Sequence, residues 1–112
     1  MGLETLQVNN LIQEMSQGAK GVLLEKWPPI QKYAEPEFKK IADNIAKIEQ
    51  MKNEGTLNEK KAKLQMELQL NAARSVMLTA EGMSKLLVEQ MINGALAAIK
   101  GPVNRALGIP LL

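Results

Sequence analysis

The sequence predicts an all-α fold: an antiparallel helical hairpin followed by a long C-terminal helix, packed as an oligomeric helical bundle. Three observations predict it. Apolar residues recur at three- and four-residue steps along most of the 112 residues, the period of one face of an α-helix. The clearest turn signal, Gly55-Thr56, separates two such segments by only a few residues. Finally, 27 of the last 49 residues are apolar, more than one neighbouring helix covers. The alternative is a compact monomeric four-helix bundle, which requires a break near Thr79. Either way, residues 1–112 form a single helical domain.

The first helix is expected over about 3–26. Val8, Leu11, Ile12, Met15, Ala19, Val22 and Leu23 fall on one face. Gly18 and Gly21 interrupt it, each costing about 1 kcal/mol of helix propensity against alanine. They either weaken and bend this helix or mark a close crossing by another. Trp27-Pro28-Pro29 then stops it, because neither proline donates a backbone hydrogen bond. Residues 27–35 read as a stiff connector. Trp27 covers the end of the core or anchors a partner, with Tyr33 and Phe38 completing a small aromatic cluster.

A second helix is expected over 36–54, opened by Pro36 in its first turn. Phe38, Ile41, Ile45 and Ile48 follow at 3-4-3 spacing, and Asp43 and Lys47 stand four apart in the favourable acid-first order. Gly55 supplies the left-handed residue that ends it. Thr56 and Glu59 have the spacing of a capping box for the next helix.

The third helix is expected over 57–99, roughly 64 Å at about 1.5 Å per residue. Leu64, Leu68, Ala72, Val76, Ala80, Met83, Leu87, Met91, Ala95 and Ala98 trace one stripe, with Met66, Leu70, Ala73, Met77, Val88, Ile92 and Ile99 beside it. A partner of about 20 residues reaches only some 30 Å, so the far end needs another cover. Met83, Leu87, Met91, Ala95 and Ala98 are therefore the proposed interface with other copies. Gly101-Pro102 ends this helix. An apolar tail over 101–112, including Ile109 and Leu111, packs along a neighbouring helix or exchanges into another subunit. Trp27, Ile109 and Leu111 complete the candidate interface.

Catalytic chemistry has little to stand on. Histidine and cysteine are absent, so no catalytic, cofactor-binding or metal-ligating residue is assigned, and no cofactor is expected. Glu67, Glu81 and Glu89 are isolated along the helix and lack the histidines of a bundle metal site. Ser16, Ser75, Ser84, Thr79 and Tyr33 have no base beside them. The glycines build no phosphate-cradling loop.

Fourteen basic against twelve acidic residues leave a net charge too small to imply nucleic-acid binding. The lysines at 60, 61 and 63 are interleaved with Glu54 and Glu59. The longest charge-free helical run, Gln90 to Ile99, is half the roughly 20 residues a bilayer span requires. No transmembrane helix is expected, although residues 83–112 suit a peripheral membrane contact. The methionines also suit a groove for another protein's helix. The absence of cysteine and of a signal-peptide pattern at Met1-Gly2-Leu3-Glu4 points to the cytoplasm. The expected role is thus a non-enzymatic homo-oligomeric assembly protein. A membrane-active protein and an adaptor for a partner helix are the alternatives.

Overall fold

A computed structural model of the chain describes residues 7–80 and 83–112, and all regular structure among them is helical. Helix α1 runs over Val8–Leu23, a 3-10 turn over Leu24–Lys26, α2 over Trp27–Asn53, α3 over Glu59–Leu78 and α4 over Lys85–Leu107. The helices run alternately up and down: Ser16 on α1 meets Glu35 on α2, Arg74 on α3 meets Glu89 on α4, and Lys52 on α2 meets the carbonyl of Ala106 on α4. The result measures 43 × 23 × 19 Å, with a radius of gyration of 13.9 Å. A compact chain of this length is expected near 13 Å, by an approximate scaling law.

The hairpin forms as the sequence indicates. Phe38, Ile41, Ile45 and Ile48 are all buried. Gly55 takes φ +75°, and its amide donates to the Lys52 carbonyl while that of Thr56 donates to the Met51 carbonyl. These two bonds satisfy the last orphan carbonyls of α2. The cap of α3 is different: Asn58 accepts from the Lys61 amide at 3.0 Å, while the Thr56 hydroxyl turns back to the Met51 carbonyl. Asparagine caps at least as well as threonine, and closing α2 occupies Thr56.

Three expected boundaries move. Trp27-Pro28-Pro29 starts α2 instead of stopping α1 and opening a connector over 27–35, because prolines in a first turn remove amides that no carbonyl would have met. Pro36 lies inside the same helix, where Ile30, Ala34 and Phe38 keep one buried face continuous. Gly101-Pro102 likewise fails to end α4. Val103 and Leu107 beyond it are buried, each worth about 1.5–3 kcal/mol, which together offset the roughly 3 kcal/mol of an interior proline.

The single helix expected over 57–99 is two helices. The Thr79 hydroxyl donates to the Val76 carbonyl at 2.6 Å, and Ser84 caps α4 by accepting from the Leu87 amide at 3.1 Å. Of the turn considered at Thr79–Gly82, Glu81 and Gly82 lie outside the described residues, as does the start of the first helix at Leu3–Leu6. Folding back gives up a few helical hydrogen bonds. In return Val88, Met91, Ile92, Ala95 and Ile99 enter a core shared with Leu11, Met15, Ala19 and Leu23 of α1.

Helices α1 and α4 meet backbone to backbone. A Cβ on Gly94 would stand 2.9 Å from the Gly18 carbonyl oxygen and 2.7 Å from Val22, and one on Gly18 would collide with the Gly94 carbonyl and come within 2.9 Å of Ala98. Gly18 therefore marks a helix crossing. Gly21 has open space around it.

Helix α3 buries the second of the two expected stripes: Ala62, Met66, Ala73 and Met77 face inward, while Leu64, Leu68, Ala72 and Val76 are exposed. The tail stays on its own chain. Leu111 is buried, and the Asn104 side chain accepts from the Leu112 amide and donates to its carbonyl.

Candidate functional site

The eight residues expected to form an interface do not share a surface. Met91 is 0% exposed, and Ala95 is buried beside it. Trp27 is buried with its ring stacked on Phe38, centroids 6.1 Å apart. Leu111 is buried as well, while Met83, Leu87 and Ile109 are half-buried against the same core. Ala98 is exposed at the edge of the α1–α4 crossing. The cover that other copies were expected to provide comes from α1, which reaches α4 because Gly18 and Gly94 have no side chains. Tyr33 does not join the aromatic cluster. It is exposed, with the Lys32 ammonium 5.2 Å from its ring centre.

The polar side chains that suggest chemistry have structural partners instead. Ser84 and Thr79 close helix ends, and the Ser16 hydroxyl donates to Glu35, which also accepts from Gln31. Arg74 holds Glu89 at 2.8 Å and Asn71 at 2.9 Å, joining α3 to α4. Glu37 is buried, with one oxygen 3.1 Å from the Lys40 ammonium and the other without a hydrogen-bond partner. Among the described residues, no group of three carboxylates is placed to hold a metal ion, and no helix is long and apolar enough to cross a membrane.

Two exposed apolar surfaces remain. The first is the outer face of α3. Leu64, Leu68 and Val76 are 56%, 61% and 42% exposed, and with Ala72 they form a ridge at four-residue steps. Of the residues around them Gln65, Asn71, Ser75 and Thr79 carry no charge, and Lys61 and Glu67 flank the Leu64 end. Beside the ridge a groove of about 510 Å³ runs against α2, lined by Lys40, Asp43, Asn44 and Lys47 on one wall and Gln65, Leu68, Gln69 and Ala72 on the other. Charge is sparse beside these exposed leucines, and their side chains form a contiguous apolar strip.

No family model, curated protein or solved structure matches the chain.

The second surface lies at the end of the molecule where α1 turns into α2 and α4 begins. Leu24 adopts φ 54°, ψ −121° and is, among the described residues, the non-glycine residue with positive φ. Holding a leucine there costs about 1–3 kcal/mol, and its side chain recovers little, being 67% exposed. Leu87 and Gln90 of α4 line a groove with Val22 and Leu24, and Leu86 next to them is 68% exposed. A second groove of about 560 Å³ continues past Lys26, Pro29, Lys32 and Tyr33. Sequence reasoning passed over both surfaces. For α3 the signal was present in the sparsely charged arc around the leucine ridge. For Leu24 there was none, because leucine does not announce a left-handed residue.

Proposed function

We propose that the chain is a non-enzymatic helical assembly protein that pairs with a second copy through the outer face of α3. The observation that carries this is the Leu64–Leu68–Ala72–Val76 ridge, exposed on a sparsely charged face while Val88, Met91, Ile92, Ala95 and Ile99 of α4 are already inside the core. A ridge built on four-residue steps interdigitates with its own copy at a crossing angle of about −50°. About a twofold axis near residue 70, Leu68 of each copy faces Ala72 of the other, so a large side chain meets a small one.

Charge selects the antiparallel arrangement. Lys60, Lys61 and Lys63 cluster in the first turns of α3. Parallel pairing would stack six lysines, whereas antiparallel pairing sets each cluster near the negative C-terminal end of the other helix. The six large ridge side chains of a pair release on the order of 1 kcal/mol each from their half-exposed state, which meets only the lower end of an association cost of about 4–15 kcal/mol. The dimer is therefore weak and forms at millimolar rather than micromolar concentration. Such a dimer is reversible, so its mass rises with concentration.

Light scattering over a concentration series tests this. The parent chain should climb from 12.3 kDa towards twice that mass, and Leu68→Glu should stay at one chain with unchanged helix content. A parent chain that remains at single mass as its concentration is raised through the millimolar range overturns the proposal.

A further inference from the structure

We infer that the Leu24 end of the molecule is a docking surface for an anionic phospholipid membrane. Among the described residues, Leu24 and Leu86 are the two most exposed large apolar side chains, and the antiparallel course of α1 and α4 brings them to the same end. Side chains two-thirds exposed stand out of the surface, which suits insertion into a headgroup layer better than capture of a helix in a cleft. Tyr33, with an apolar ring and a polar tip, lines a groove with Glu25, Lys26 and Leu87, the sequence neighbours of Leu24 and Leu86, and is a residue type enriched at that depth.

The charge around them complements acidic lipid. Lys26 and Lys32 line the groove beside Tyr33, Lys85 precedes Leu86, and Lys20 lies one turn before Leu24. Against these four lysines stands Glu25, which lines both grooves. Long lysine side chains reach phosphates while their stems lie along the leucines. Leu24 adds an independent sign. Its positive φ is one that glycine adopts freely, so the chain holds a strained residue with its large apolar group directed to solvent. Contact with lipid gives that side chain the burial the fold withholds. Among the described residues no helix is long and apolar enough to cross a membrane, and the contact proposed is one with the membrane surface.

Sedimentation of the full chain with vesicles tests this, using equal parts phosphatidylserine and phosphatidylcholine or phosphatidylcholine alone. The chain should sediment with the acidic vesicles and be released by salt. Leu24→Gly relieves the backbone and should melt at the same or a higher temperature, yet bind about tenfold more weakly, the equivalent of one lost leucine insertion. Lys26→Gln with Lys32→Gln should weaken binding by a further order of magnitude or so. Antiparallel pairing on α3 sends the two Leu24 ends apart and offers no avidity, so Leu68→Glu should bind like the parent. Absence of sedimentation at low salt, equal binding to neutral vesicles, or full binding by Leu24→Gly overturns the inference.

Discussion

Gly18→Val should destabilise the fold by about 3 kcal/mol or more, because overpacking here falls on backbone and not on yielding side chains. A Cβ alone at residue 18 meets the Gly94 carbonyl and Ala98, and valine adds two methyl groups beyond it. Helices α1 and α4 must separate, and contact is lost along the whole length from Leu11 to Leu107. Against a total stability of about 5–15 kcal/mol, that is a large share. Thermal melting followed by circular dichroism should show a fall of roughly 10 °C or more. Gly21→Ala, three residues away with open space around it, should change stability in the opposite direction by about 1 kcal/mol. Equal effects at the two positions would contradict the backbone contact.

Met91→Glu separates core from interface most sharply. Met91 is fully buried within one copy, so an introduced carboxylate has neither water nor partner. An uncompensated buried charge costs about 3–5 kcal/mol. The expected outcome at neutral pH is loss of cooperative melting and exposure of Trp27 in its fluorescence, not a change from dimer to folded monomer. Burial raises the pKa of the introduced carboxyl in the folded state, so its penalty is present above that pKa and is relieved as pH falls through it. A well-folded variant of halved mass would instead place Met91 on a surface between copies.

The α2–α3 hairpin was legible because its signals are local: an isoleucine seam, a glycine in the left-handed position and a polar cap within four residues. What escaped depends on neighbours. Proline stops a helix only when the next turn gains too little by continuing, and Val103 and Leu107 gain enough. The two stripes of α3 are adjacent in angle, and leucine looks the better core residue than alanine. The inward face of α3 nevertheless carries Ala62 and Ala73, leaving Leu64 and Leu68 outside. The break before Ser84 had its serine cap in plain view, but continuity of the polar stripe hid it. The Leu24 surface is the least legible, since it arises from a backbone angle and from the meeting of residues more than 60 positions apart.

The thin inner side of α3 has a consequence for how the molecule opens. Two alanines and two methionines fasten this helix, with the Arg74–Glu89 pair across to α4, whereas α1 and α4 are locked along their backbones. Partial opening takes the least-anchored unit first. Deuterium should enter the amides of α3 well before those of α1 or α4. The element proposed to meet a second copy is then also the one with the most order to gain from the meeting.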